Sequence, residues 1–451
     1  MKEKGEQGNE EGNERMADAR RLHIDVPVLA RVEGEGGLSL TIRDGELETL
    51  RLEIFEPPRL FEKFLEGRAM TEVPDIVARI CGICPVAYQM SAAHALESLC
   101  GCAPGPWVRA MRRLLYCGEW MESHSLHIHL LAAPDFLAYP DAMAMARDHP
   151  DIVRRGLRLQ ALGNEIIRFW GGRSVHPVGV RLGGFHHAPG EAEAAALRDR
   201  LCAALADAAA LVRWTARLDF PQGPAETWGD FTCVALRHPD EYPMNEGRLV
   251  SSRGLEVDIE DFERHVEERQ VPHSTAFHAL LDGEPYLVGP LARLNLNHDR
   301  LPPAVRDNLA ACGITLPSYN MFHSIIARAV EIHYALVEAT RILSDYRRPP
   351  RPWAEIEPRA GTGVGCTEAP RGILWHRYRT DEAGRILAAR IVPPTSQNQA
   401  RIEQDLRETL TRLGLARSDE ALRHLGECII RNYDPCISCA THRIRVTIDR
   451  P

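Results

Sequence analysis

Between residues 22 and 56 apolar and polar side chains change places at almost every step, the period of an extended chain with one buried face. Leu38-Ser39-Leu40-Thr41-Ile42-Arg43 and Leu47-Glu48-Thr49-Leu50-Arg51-Leu52-Glu53-Ile54 flank Asp44-Gly45, and that pair predicts a tight hairpin. From Arg59 to about Leu131 the apolar spacing becomes helical, interrupted at Pro85 and again from Gly101 to Pro106. Helical spacing continues over 141–170 and 191–218. The stretch 229–300 mixes short strand-like runs with turn residues, and 304–346 returns to helix before an Arg-Pro-rich segment, 347–353. A second hairpin is predicted from 372–378 and 386–392 around a turn at 381–384. Helices follow at 398–414 and 419–432. The expected fold class is mainly α with smaller β elements (α+β), a helical core carrying peripheral hairpins. Residues 21–442 read as a single domain and 1–20 as a solvated tail rich in Glu, Lys, Gly and Asn, in which Met16 is an alternative start.

Composition narrows the class. The chain has 451 residues, 44% apolar and 26% charged, ordinary for a globular protein with room for a deep core. A net charge of −9 gives no electrostatic reason to expect nucleic acid. No apolar run is long enough to span a membrane, so no membrane insertion is expected. The N-terminal residues show neither an apolar signal core nor a twin-arginine pair ahead of one. Twelve cysteines are too sparse for a disulfide scaffold, and a reducing cytoplasmic location suits thiolates better.

Four of those cysteines are arranged as two CxxC pairs near opposite ends of the chain, Cys81-Gly82-Ile83-Cys84 and Cys436-Ile437-Ser438-Cys439, the second followed by His442. Two such bites suggest one metal site that closes the fold. Zinc is the plainest candidate, although a chain of this size needs no staple. An iron–sulfur or rubredoxin-like site is open too. A thioredoxin-like redox role lacks its βαβ surroundings. The remaining eight cysteines read as buried apolar residues.

The surroundings of the pairs are more specific. Arg79-Ile80-Cys81-Gly82-Ile83-Cys84-Pro85 and Asp434-Pro435-Cys436-Ile437-Ser438-Cys439-Ala440-Thr441-His442 closely resemble the two signature segments of the nickel–iron hydrogenase large subunit, in the right order and at the right ends. The resemblance extends through Ala30-Arg31-Val32-Glu33-Gly34, Arg59-Leu60-Phe61-Glu62 and the histidine-bearing segment 122–136. It continues in Gly172-Arg173-Ser174-Val175-His176-Pro177, Gly183-Gly184-Phe185, Glu368-Ala369-Pro370-Arg371-Gly372 and Pro393-Pro394-Thr395-Ser396-Gln397-Asn398. One position departs: many members carry a histidine four residues after the second cysteine, where this chain has Tyr88. A phenol can hydrogen-bond a thiolate but does not carry a proton as imidazole does at neutral pH.

The resemblance implies the family's fold, reversible heterolytic cleavage of H2, and a Ni–Fe(CN)2(CO) centre. Cys81 and Cys436 would be terminal nickel ligands, with Cys84 and Cys439 bridging to iron. Pro394 and Thr395 would face the diatomic iron ligands. Glu62, His442 and the backbone carbonyl of Ile391 resemble the ligands of a magnesium ion. Cys436 is the expected first proton acceptor and Glu33 the next relay, on the expectation that burial raises the Glu33 pKa. Glu33 read alone is sooner a salt-bridged turn residue, a preference that reverses beside the cysteines. Arg371 is expected to supply fixed positive charge over the metals, direct action as a base being the lesser reading.

Three further readings complete the picture. His124, His127 and His129 could pass for a metal cluster, but only the first two share a helical face, and packing roles are expected for all three. Gly361-Thr362-Gly363-Val364-Gly365 lacks the features of a phosphate loop and reads as a loop leading to Arg371. The tail 443–451 alternates like a strand end and also resembles the peptide that a maturation endopeptidase removes after the histidine in catalytic members.

No iron–sulfur cluster and no dinucleotide fingerprint is expected in this chain, so electrons would leave through an iron–sulfur small subunit. The wording of the motifs resembles the cytoplasmic NAD(P)-linked and sulfhydrogenase group, which implies diaphorase-type electron-transfer subunits. The alternatives are a deazaflavin- or heterodisulfide-linked enzyme, a non-catalytic H2 sensor, and a zinc-stapled structural relative.

Overall fold

The structure, a computed structural model, describes residues 21–221 and 230–442. The readings of 1–20 as a tail, with its alternative start, and of 443–451 as a removable peptide lie outside the described residues.

The alternating N-terminal pattern forms an antiparallel sheet of β1 (Arg21–Val26), β2 (Gly36–Arg43) and β3 (Glu46–Ile54), in the order β1-β2-β3. Leu38, Leu40, Leu52 and Ile54 turn inward. Asp44 (φ 53°) and Gly45 (φ 83°) make the two-residue turn, both in the left-handed conformation that the right-handed strand twist favours.

The helical region starts with two single turns, α1 (Phe61–Leu65) and α2 (Val73–Val77), and continues with α3 (Pro85–Cys100) and α4 (Pro106–Leu126). Pro85 and Pro106 occupy the first helical position, where a missing N–H leaves no bond unmade. A π-helical turn, His127–Ala132, joins α4 to α5 (Ala133–Phe136). The helix predicted over 141–170 is divided into α6 (Ala142–Asp148) and α7 (Pro150–Gly171), because Pro150 cannot donate back into the preceding turn and starts a new helix. Short strands β4 (Val180–Arg181) and β5 (Gly184–Phe185) lead to α8 (Glu191–Thr215).

The mixed region yields a three-stranded sheet of β6 (Val234–Arg237), β7 (Arg248–Ser251) and β8 (Glu256–Val257), then α9 (Phe262–His265). A two-stranded pair follows, β9 (Val266–Arg269) with β10 (His278–Leu281), and then α10 (Pro290–Asn297). The predicted helix 304–346 is interrupted by turn residues around Gly313, Pro317 and Asn320, giving α11 (Pro303–Ala310) and α12 (Ser324–Ser344).

The second predicted hairpin is present with a third strand: β11 (Gly361–Ala369), β12 (Gly372–Thr380) and β13 (Ile386–Val392). The expectation of a loop over 361–365 is therefore corrected. Glycine is a poor strand former, but here it lets β11 lie directly on α3: a Cβ on Gly363 would stand 2.0 Å from the Ala95 carbonyl, and one on Gly365 2.2 Å from that of Ser91. The chain closes with α13 (Pro394–Leu413), α14 (Asp419–Asn432) and the single turn α15 (Ile437–Ala440).

At the centre α4 packs on α7 and α12, and α12 on α8. A helix buried on nearly all sides must satisfy its polar residues internally. Arg112 therefore forks onto Glu97 (2.7 and 2.5 Å), and Arg113 bonds Glu338 (2.6 Å) and the Tyr242 carbonyl (2.7 Å). No helix among the described residues is long and apolar enough to cross a membrane.

Candidate metal centre

The two cysteine pairs, 355 residues apart, meet in the interior. Cys81 and Cys84 lie in the turn between α2 and α3, and Cys436 and Cys439 bracket the start of α15. Sγ of Cys81 is 3.5 Å from that of Cys436, Cys84 is 3.5 Å from Cys439, and Cys436 is 2.9 Å from Cys439. All four are free thiols with sulfurs within 4.8 Å of one another. An ion about 2.3 Å from each, the usual thiolate distance for a late first-row metal, would set tetrahedral neighbours about 3.8 Å apart, so the 3.5 Å pairs would open by a few tenths of an ångström and the Cys436–Cys439 pair by about 0.9 Å. The donor set is soft and suits nickel.

Electrostatics fit a set that needs a cation. Hydrogen bonds from Cys436 and the other sulfurs draw the Cys81 thiol well down, and the amides of Ile83 (3.3 Å) and Cys84 (3.2 Å) also point at its sulfur. Cys436 is pushed well up by its bond to Cys439 and by the other sulfurs. Without a metal, one thiolate suppresses ionisation of its neighbours.

Two N-terminal motifs hold this site, each in its own way. Glu33 grips the second pair: its Oε2 accepts from Cys436 Sγ and Ser438 N, both at 3.1 Å, and its carbonyl accepts from Ile437 N at 3.0 Å. Gly34, at φ +90°, follows because a Cβ there would lie 2.6 Å from that of Ile437. Arg31 carries the ion pair of this motif, with Asp135, and bonds the Leu131 carbonyl. The expectation of a buried Glu33 is corrected, since it sits on the loop before β2 and stays partly exposed in this chain. Arg59, whose part the sequence reading missed, donates to the carbonyls of Ile80 (2.7 Å) and Ser438 (2.5 Å), tying both cysteine segments together.

Arg371 stands in the two-residue turn between β11 and β12, whose last pair is Ala369–Gly372. Its Nε donates to the Asp434 carbonyl (2.6 Å) and its Nη2 to Asp434 Oδ1 (3.1 Å), while Nη1 is buried with no hydrogen-bond partner among the described residues. Burial opposes its charge, but Asp434 and the sulfurs of Cys436, Cys84 and Cys81 outweigh that and hold its pKa well above the usual range. This is a fixed cation, in keeping with the expectation of steady charge. Asp434 was present in the quoted motif, but its pairing across the fold is not a spacing that a sequence displays.

The turn bearing Arg371 is anchored from below. Arg293 of α10 forks onto Glu331 (2.8 Å twice), bonds Glu368 (2.8 Å), and reaches the carbonyls of Ala369 (2.7 Å) and Pro370 (3.0 Å). His124 and Tyr242 complete the shell around Glu331, each at 2.8 Å. His127 bonds the Arg431 carbonyl (2.7 Å), and His129 bonds the Ser125 carbonyl (2.9 Å) and stacks on Trp214. The three histidines thus serve packing separately.

Thr395, in the first turn of α13 beside buried Pro394, accepts from Cys436 N at 3.1 Å. His442 lies with Nε2 2.9 Å from the Ile391 carbonyl and 3.6 Å from Glu62 Oε1, and with Nδ1 2.6 Å from the Cys439 carbonyl. A neutral imidazole has one N–H for these two carbonyls. A cation at Nε2 resolves that mismatch, and 2.9 Å is close to the ~3.0 Å between adjacent ligands of an octahedral ion at 2.0–2.1 Å.

Two buried groups near the sulfurs escaped the sequence reading. Glu119 accepts from the first amides of α3, Val86 (2.6 Å) and Ala87 (3.1 Å), fixing the end of the helix that follows Cys84. Glu122 is pushed up to about 8 by burial, against the lowering effect of Arg371 and with the raising effect of Cys81. At Tyr88, burial first and the Cys439 and Cys84 sulfurs next push the phenol well up, so it stays protonated.

The sequence pattern of the nickel-dependent hydrogenases matches residues 59–152 and 279–442. Sulfhydrogenase 2 subunit alpha of Pyrococcus furiosus is 32% identical, over 94% of this chain and 100% of its own length. The NAD-reducing hydrogenase HoxS subunit beta of Cupriavidus necator is 28% identical over 94% of this chain and 95% of its own. The crystal structure of an NAD+-reducing NiFe hydrogenase in its H2-reduced state superposes with a TM-score of 0.84 at 30% identity, covering 94% of this chain and 100% of that one. Sulfur geometry, motif order and full-length likeness agree: the chain belongs to the nickel-dependent hydrogenase family and is the large subunit of a nickel–iron hydrogenase.

Proposed function

We propose that this subunit cleaves H2 heterolytically, and reversibly, at a nickel–iron centre held by Cys81, Cys84, Cys436 and Cys439, passing electrons through an iron–sulfur small subunit and diaphorase-type subunits to NAD(P). The observation that carries the reading is the convergence of four buried sulfurs with Glu33 and the fixed charge of Arg371. When bound, the Ni–Fe(CN)2(CO) centre supplies the Lewis acidity that polarises dihydrogen. Cys81 and Cys436 would hold it as terminal ligands, and Cys84 and Cys439 as bridging ones.

The proton path begins at Cys436 Sγ and continues to Glu33 Oε2, 3.1 Å away and within direct transfer distance. Arg371 holds its positive charge throughout, steadied by Asp434, and Thr395 and Pro394 line the side facing the diatomic ligands. Glu62, His442 and the Ile391 carbonyl hold magnesium. Residues 21–442 act as one domain, in the cytoplasm. A maturation endopeptidase removes the peptide after His442, so the active protein has a mass ending at that residue.

Elemental analysis, infrared spectra and H2-dependent dye reduction test the centre together. Near-stoichiometric nickel, CO and cyanide bands and dye reduction are expected; zinc alone, with no bands, overturns it. NAD(P) coupling is tested separately by H2-dependent reduction of NAD+ or NADP+ in the assembled enzyme. Dye reduction without nucleotide reduction would move the acceptor to a deazaflavin or heterodisulfide partner.

A further inference from the structure

A second group of metal-ligating side chains lies on another part of the fold. His273, His278 and Glu403 place one ligand atom each within 4.8 Å of one another. They come from three segments: the connection 270–277, the first residue of β10, and the middle of α13. Glu403 is eight residues beyond Thr395, about 12 Å along the helix, so this group is separate from the cysteine site.

The geometry is held in place from several directions. Glu403 Oε1 accepts from Leu52 N at 2.9 Å and faces His273 Nε2 at 2.8 Å. The connection bearing His273 is fastened to the end of β3, with Thr275 N donating to the Ile54 carbonyl (2.8 Å) and Thr275 Oγ1 to that of Glu56 (2.9 Å). His278 is only 5% exposed, yet its Nε2 is buried with no hydrogen-bond partner among the described residues. A buried imidazole nitrogen without a partner costs free energy unless something fills the gap. Beside the group opens a cleft of about 850 Å³ lined by Arg51, Glu53, Phe55, Gln270 and His273, which gives an ion and its water a way in.

Two imidazoles and one carboxylate on a pre-set frame form the donor set of an open zinc-type site, with positions left for water on the cleft side. The harder cations prefer all-oxygen shells and are disfavoured by two nitrogens. We propose that His273, His278 and Glu403 bind a divalent late first-row ion of the zinc class, clamping β3, the 270–277 connection and α13 to one another. A plain His273–Glu403 ion pair leaves the His278 nitrogen unexplained; a shared ion does not.

The test uses the assembled enzyme, washed with a chelator and titrated with Zn2+ against a chromogenic competitor, beside His273→Asn, His278→Gln and Glu403→Gln variants. The wild type should bind about one more tight equivalent than each variant, with affinity at the site weakened roughly tenfold or more by each change. Zinc-edge X-ray absorption of the wild type should show nitrogen and oxygen ligands near 2.0–2.2 Å and no sulfur. Equal zinc binding in all variants, or zinc ligated by sulfur alone, overturns the proposal. Dye reduction in zinc-free buffer shows that each variant is folded. If His278→Gln does not assemble, the partly exposed His273 position carries the test.

Discussion

Replacing Glu33 with glutamine separates proton transfer from architecture. The carboxylate makes two contacts, to Cys436 Sγ and Ser438 N at 3.1 Å, and its carbonyl holds Ile437 N at 3.0 Å. The backbone bond is untouched by the change, and an amide oxygen can still accept from Ser438. Both side-chain contacts fall on Oε2, so an amide oxygen in that place keeps them and the stability lost should be about 1 kcal/mol or less. The amide, however, cannot take up a proton in the working pH range. A positioned acid–base group contributes roughly 10²–10⁴ in rate, or about 2.7–5.4 kcal/mol of barrier. Glu33→Gln should therefore keep its metals and melting point and lose turnover by that factor in H2-dependent dye reduction and in D2/H+ exchange. Glu33→Asp withdraws the carboxylate by about 1.5 Å, beyond direct reach of the sulfur, and should fall between the two. Native turnover in a fully metallated Glu33→Gln enzyme would refute the relay.

Arg371→Lys keeps a charge beside Asp434 but loses the guanidinium's directed donors, and should lower turnover about 10²-fold with little change in thermal midpoint; unchanged turnover would dismiss a special role for the guanidinium. Arg293→Met leaves Glu331 and Glu368 buried without their shared cation and should destabilise the fold by about 3–5 kcal/mol, read from the urea midpoint. His129 is held down to about 4 by burial, so the unfolded chain gains a proton below pH 6.5 that the folded chain refuses. Stability from this residue is full above pH 6.5 and falls with acidification through about 4. Since Glu122 and other raised carboxyls titrate in the opposite sense, a comparison isolates it: His129→Gln should remove about 1 kcal/mol of acid sensitivity between pH 6.5 and 5.5. Identical pH slopes in the two proteins would contradict a neutral buried His129. Chelation of magnesium should lower the melting point of the wild type and leave that of Glu62→Gln unmoved, a difference that calorimetry reads directly.

What the sequence disclosed was local or motif-bound. Asp44-Gly45 announced its hairpin because two adjacent residues suffice to set a turn. The cysteine pairs and Glu62, Ile391 and His442 came through the wording of whole segments, and the structure brings them together. Partners joined only in space did not show. Arg59 spans from Ile80 to Ser438, Asp434 meets Arg371 from 63 positions away, and Glu119 caps a helix 33 residues upstream. The strand at 361–369 was hidden for another reason: glycine's low β propensity argued against it, while close packing on α3 required it. Pro150 sat within a helical pattern whose period it did not disturb, so its break in the hydrogen-bonded ladder went unread.

The 355 positions between Cys81 and Cys436 also bear on endurance. An ion shared by these thiolates is a crosslink around most of the polypeptide, and closing so large a ring in the denatured ensemble removes about 6 kcal/mol of chain entropy by the relation used for disulfides. Stripping the ion would thus do more than silence the enzyme: it would release a clasp, and the demetallated protein should unfold as a measurably weaker molecule even if every other contact were kept.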